Sequence, residues 1–164
     1  MGAASVGMAT EVAAQDGVRR PPAIFLSGGW STPEIDSLSG GMVMGAGLEL
    51  PLADWAMIVP SVQRRESKFP TFTKPTWAVD FAFQGYRDFG KLSPYIGFAL
   101  GAAFDLRDER TFAEDFVIAT YGGMAGLRYA LLDHVVVRGE ARYRYLDGFD
   151  QGTLLTTFGL GWVF

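Results

Sequence analysis

The chain has 164 residues and no cysteine, with 49% hydrophobic, 14% aromatic and 20% charged residues and a formal net charge of −4. That length suits one domain with a sizeable core. The composition excludes a disordered chain, the charge gives no nucleic-acid footprint, and the missing cysteines exclude disulfides, thiolate metal sites and a cysteine nucleophile.

The N-terminus, "MGAASVGMATEVAAQDG", is rich in small residues and carries a Val-Ala-Ala-Gln stretch similar to the end of a cleavable signal peptide, without a basic or leucine-rich region before it. Residues 1–20 are therefore expected to be a signal-peptide remnant or a flexible tail, and residues 21–164 to form the folded domain. No apolar run approaches the roughly 18 residues of a membrane-spanning helix. A mean hydropathy of +0.15 does not argue against membrane strands, because alternating strands average themselves out.

From Pro22 onward, apolar-alternating runs predict strands at about 22–32, 41–50, 55–65, 75–87, 94–105, 115–129, 134–145 and 153–164. In "TWAVDFAFQG", Trp77, Val79, Phe81 and Phe83 oppose Ala78, Asp80, Ala82 and Gln84. In "YIGFALGAAF", Ile96, Phe98, Leu100 and Phe104 oppose Gly97, Ala99, Gly101 and Ala103. Pro60 interrupts the third run, so a bulge or bend is expected there. The connections alternate in length: "PEIDSLSG", "ESKFPTFTK", "LRDERTFAED" and "LDGFDQG" are the longer ones, while "PLAD", "DFGKLS" and "ALLD" are shorter. Eight antiparallel strands then place the short turns at one end and the long connections at the other, the layout of outer-membrane barrels.

The strand "VVVRGEARYRY" decides which face is inside. Arg138, Glu140, Arg142 and Arg144 share one parity; Val135, Val137, Ala141, Tyr143 and Tyr145 share the other. A soluble lipocalin-like carrier of a small apolar ligand would turn the tyrosines inward. Its outer surface would then be glycine and alanine in the fifth strand, with no charge between Ser93 and Phe104, and such a surface lacks solubilising groups. The inverted arrangement sets the large apolar side chains against lipid and gathers Glu49, Asp80, Arg128, Arg138, Glu140, Arg142 and Arg144 inside, where mixed signs can pair. Trp55, Tyr129, Trp162 and Phe164 then fall near the short turns, and Trp30, Trp77, Phe104, Tyr143 and Tyr145 near the long connections, as two interfacial girdles. The fold class expected is an all-β, eight-stranded antiparallel up-and-down transmembrane barrel.

The final residues, "TFGLGWVF", place Thr157, Gly159, Trp162 and Phe164 in a polar–x–Gly–x–x–aromatic–x–aromatic pattern that resembles the C-terminal signal of bacterial outer-membrane proteins. With "SPYIGFALGAAF" and "YGGMAGLRYALLDHVVVRGEARYRYL", this stretch is similar to the small OmpA-like, eight-stranded outer-membrane barrel proteins over about residues 22–164. The resemblance implies an outer-membrane location, insertion by the barrel assembly machinery, and contact with lipid and lipopolysaccharide. It implies no single activity. Members serve as anchors, adhesins or surface-protection proteins, and no peptidoglycan-binding segment follows the last strand, so a cell-wall tether is not expected.

Candidate chemistry is sparse. His134 is the only histidine and lies at a short turn beside Asp133, without the serine and carboxylate of a catalytic triad. No metal cluster, phosphate loop or nucleophile elbow is present, and no enzyme activity or cofactor is expected. The interior charges read as a structural plug, with a minor narrow channel as the alternative. Arg64, Arg65, Lys68 and Lys74 could meet lipopolysaccharide phosphates. The loop holding Arg107, Asp108, Glu109, Arg110, Glu114 and Asp115 is a candidate binding surface. The expectation is a monomer with no nucleic-acid partner.

Overall fold

The computed structural model describes residues 20–33, 40–68, 73–104, 117–147 and 151–164, leaving aside the side chains of residues 33, 67, 68, 73, 74 and 151. Eight strands follow in order: β1 (Ala23–Pro33), β2 (Gly41–Ala53), β3 (Ala56–Lys68), β4 (Thr73–Tyr86), β5 (Leu92–Phe104), β6 (Val117–Leu132), β7 (Val135–Leu146) and β8 (Gln151–Val163). Each pairs antiparallel with its sequence neighbours, and β1 pairs with β8 to close the barrel. Closure removes the exposed edges that an open sheet would offer to other chains. The strands are 11 to 16 residues long, at or above the roughly 9 to 11 that a tilted strand needs to cross a bilayer.

The strands are staggered. Followed through β2, β3, β4 and β5, the register leads from Ser27 by Gly45, Gln63, Ala78 and Ala103 to Ile118. Followed the other way, it leads from Ser27 by Gly159 and Arg138 to Arg128 on the same β6. That mismatch along one strand is the shear that a closed, tilted barrel requires.

Two expectations about the connections are corrected. Pro60 introduces no bulge: Gly47↔Ser61 and Leu50↔Ile58 lie in one register on either side of it, and the ladder to β2 is merely interrupted at Val59 and Pro60. A proline removes one donor without inserting a residue. The register shift lies instead beside the β2–β3 turn, between Pro51 and Ala53. The "ESKFPTFTK" connection is also shorter than expected, since β3 and β4 pair out to Lys68↔Thr73. The connections at one end are residues 54–55, 87–91 and 133–134; those at the other are 34–40, 69–72, 105–116 and 147–150. The ends still differ, although 87–91 exceeds 69–72. Gly90 supplies the left-handed backbone (φ 65°) of the β4–β5 turn.

Large inward side chains sit opposite glycines. Phe25 pairs with Gly47, Asp80 with Gly101, Tyr95 with Gly126 and Arg138 with Gly159. A Cβ on Gly126 would stand 2.4 Å from the Tyr95 ring, and one on Gly47 equally close to Phe25. An eight-stranded lumen is just wide enough for its side chains, so small residues across the pairing make room for large ones. Outward Gly28 has no such neighbour. Gly126→Ala is accordingly expected to cost about 1–3 kcal/mol by overpacking in urea unfolding of the vesicle-inserted barrel. Gly28→Ala should leave the unfolding free energy within about 0.5 kcal/mol of the parent's.

A candidate functional site in the barrel lumen

The inward parity of β7 places Arg138, Glu140, Arg142 and Arg144 in a column, and all four are buried. Residues two apart on a strand share a face, so Glu140 stands between two arginines of its own strand. Its carboxylate accepts from Arg138 Nη2 at 2.6 Å and from Arg142 Nε at 3.0 Å. Arg142 and Arg144, two like charges in sequence, both reach Asp80 from across the lumen. At the other end of the column Arg138 is the register partner of Arg128 on β6, a like-charge pair that is unfavourable by itself. Glu49 on β2 accepts from both, at 3.1 Å from Arg128 Nε and 3.2 Å from Arg138 Nη1.

The result is one alternating chain: Arg128, Glu49, Arg138, Glu140, Arg142, Asp80, Arg144. Each carboxylate bridges two guanidiniums. Thus the structure brings together all seven interior charges named from the sequence. Buried charges cost several kcal/mol each unless paired and hydrogen-bonded, and here the remaining lone pairs are also used. The Tyr95 hydroxyl donates to Glu140 Oε2 at 3.0 Å and accepts from Arg138 Nη2 at 2.8 Å. Thr120 donates to Asp80, and Gln63 Oε1 accepts from Arg144 Nη2 at 2.9 Å. The Arg138 guanidinium lies 4.3 Å from the centre of the Phe25 ring, a cation–π contact in a desolvated place.

Sequence reasoning missed Tyr95, Gln63, Thr120 and Phe25 as members of this network. Their parity was available, since Tyr95 shares a face with Gly97 and Ala99, but uncharged side chains were not singled out. Arg20 was missed for another reason, having been assigned to the tail. It enters the mouth of the lumen at the short-turn end, stacks 4.0 Å over Tyr86 and donates to Ser93 Oγ at 2.7 Å and to Asp88.

The other named residues divide. Thr157 and Gly159 face the lumen, whereas Trp162 and Phe164 are exposed on the outer wall at the short-turn end. His134 stacks on Trp162 with ring centres 5.7 Å apart. Arg64 faces outward and pairs with Glu66 at 3.2 Å. Arg65, expected beside it as a lipopolysaccharide contact, points the other way and donates to Thr153 Oγ1 at 3.0 Å inside the barrel; adjacent strand residues cannot share a face. Lys68 ends β3 and Lys74 is the second residue of β4, and their side chains lie outside those described, as does the charged loop from Arg107 to Asp115. Among the described residues no group of acidic, histidine or cysteine side chains could hold a metal ion.

The outer wall has the opposite character. Leu26, Phe81, Ile96, Phe98, Leu100, Phe158 and Leu160 are all exposed, a continuous apolar surface far larger than soluble monomers carry. Trp55, Tyr129, Trp162 and Phe164 are exposed at one end of it, and Trp30, Tyr121 and Tyr143 toward the other.

Removing one member of the chain leaves its partners charged and buried. Glu49→Leu is expected to destabilise the barrel by roughly 3–5 kcal/mol in urea unfolding. Combining it with Arg128→Met should cost clearly less than the sum of the two single changes, because the groups share one network.

No protein-family model and no curated protein matches the sequence. Solved structures do. Neisserial surface protein A (NspA) aligns with a TM-score of 0.69 at 13% identity, covering 87% of this chain and 97% of that one. Outer membrane protein H (OprH) of P. aeruginosa aligns at 0.62 and 13%, covering 88% and 99%. Ail, the attachment invasion locus protein of Yersinia pestis, aligns at 0.61 and 15%, covering 89% and 99%. At such identities the likeness concerns architecture alone. The chain has the fold of the small eight-stranded outer-membrane β-barrels, the architecture implied by its OmpA-like sequence pattern.

Proposed function

We propose that this chain is a non-enzymatic barrel of a Gram-negative-type bacterial outer membrane, with a structural or surface-interaction role exercised through the loops at its long-connection end. The observation that carries the reading is the reversed polarity of the wall: seven paired charges buried within, and exposed leucine, isoleucine, phenylalanine and tryptophan without. Water would reject that exterior and lipid accepts it. A lipocalin-like carrier is disfavoured by the same fact, since its lumen would have to be apolar. The barrels named above support a surface role by name only, one being called a surface protein and another an attachment invasion locus protein.

The lumen is read as a plug. Side chains from β7 meet those of β2 and β4 across it, so hydrogen-bonded groups stand where a conducting path would run. Trp162 and Phe164, on the outer wall at the end of β8, would serve as the signal read by the barrel assembly machinery, with Thr157 and Gly159 behind them. Arg64 is the remaining described candidate for a lipopolysaccharide phosphate. A closed barrel without a sheet edge suits a monomer.

Unboiled protein, refolded into detergent, is expected to migrate apart from boiled protein on an SDS gel and to give no steady conductance in planar bilayers. Absence of the shift, with a monomer stable in plain buffer, would overturn the membrane reading. Stepwise conductance would replace the plug with a channel. Deleting Phe164 should lower the amount of assembled barrel in cells while leaving refolding in detergent intact.

A further inference from the structure

We infer that the short-turn mouth of the lumen is closed by a releasable lid, with Arg20 as the lid and Asp88 as its catch. The lid leaves the plug in place and governs whether water reaches it. Two prolines set its position. Pro21 and Pro22 have no backbone N–H, and the pairing of β1 with β2 and β8 stops at Ala23. One tie remains, from the Phe164 N–H to the Pro22 carbonyl at 3.1 Å. Before it the chain turns over the opening. The neighbours of β1 in the barrel are β2 and β8, yet the Arg20 side chain reaches Tyr86 on β4, Asp88 in the β4–β5 turn and Ser93 on β5. It thus spans the mouth to the opposite wall. Tyr86 forms the shelf on which it rests, with its hydroxyl donating to the Ala53 carbonyl at the end of β2, 3.1 Å away.

Under the lid lies the first ion pair of the charged chain. Ser93, which accepts from Arg20 Nη2 at 2.7 Å, is the register partner of Arg128. Arg20 and Asp88 are both within electrostatic reach of Arg128. The Arg128 and Glu49 side chains stand near the mouth but are only 8% and 2% exposed. A closed lid keeps this pair dry, and an open one hydrates it.

Opposing forces make the contact releasable. Charge-assisted hydrogen bonds to Asp88 and Ser93 and the stacking 4.0 Å over Tyr86 hold Arg20 closed. Against them, Arg20 Nη1 is buried without a hydrogen-bond partner among the described residues. Arg128 is also a like charge beside it. An unsatisfied buried donor and a like-charge neighbour both work against docking. The catch, moreover, is open to solvent: the Arg20 side chain is 9% exposed and that of Asp88 50%. Water and salt therefore reach the carboxylate that holds the lid.

The chain has no cysteine, so a single introduced thiol reports access directly. Ser93→Cys keeps the shape of a side chain buried under the lid. In the detergent-refolded barrel it would be labelled with a small neutral methanethiosulfonate. Adding Arg20→Ala or Asp88→Asn should raise the labelling rate at least about tenfold, the factor carried by a lost hydrogen bond to a charged group. Thr153→Cys, buried in the lumen toward the long-connection end, should keep its rate. Higher ionic strength should speed labelling of Ser93→Cys when Asp88 is present and not in the Asp88→Asn form. Equal rates with and without Arg20, or an equal rise at Thr153→Cys, would overturn the lid. A rate indifferent to salt would overturn Asp88 as its catch. Should Ser93→Cys fail to refold, proton exchange at Arg20 Nε, followed by NMR in the otherwise unchanged barrel, decides. Slow exchange that becomes fast in Asp88→Asn supports the lid, and any other pattern overturns it.

Discussion

Everything in this molecule is arranged around the requirement that buried charge be neutralised. With the outer wall apolar, as the proposed membrane placement requires, the polar side chains of eight alternating strands have only the lumen to occupy. A lumen of this width holds little water. The arginines of β7 are therefore tolerable only because Glu140 sits between two of them and because Glu49 and Asp80 arrive from the far wall. The ion pairs to Glu49 and Asp80 are as much cross-braces as charge balance: each joins strands that share no backbone hydrogen bond.

Steric accommodation follows from the same need. Arg138, Tyr95 and Phe25 each have on one side a cross-strand neighbour without a side chain, and this room accounts for the glycines opposite them. Among the described residues the barrel thus uses inward glycine as volume, and only at Gly90 is a left-handed backbone required. Arg20 extends the pattern to the mouth, where it neutralises Asp88 and covers Tyr86.

A filled and braced lumen leaves the surfaces to carry function. The long-connection end offers loops, and the wall offers an apolar band. His134 is engaged with Trp162 at the short-turn end. A structural or surface-interaction role is the reading that uses both surfaces and asks nothing of the lumen beyond rigidity.

Much of this was legible in the order of residues. Strand number, the two faces of each strand and the seven charges of the paired chain all follow from period-2 alternation, a local property of successive Cβ directions. Arg65 shows how strictly parity acts, since one step from Arg64 carries it from the outer wall to the lumen. Parity says nothing about height, however. Which carboxylate meets which arginine depends on the stagger of the closed sheet, and Glu49 meets Arg138 across 89 residues of sequence. Pro60 and the β3–β4 hairpin were misjudged because composition marks a breaker but not whether neighbouring strands hold their register past it. The sequence by itself determined a barrel with charges inside and aromatics outside. Only tertiary closure, through tilt and register, decided the order of the charged chain and the entry of Arg20, because each joins groups that no local rule relates.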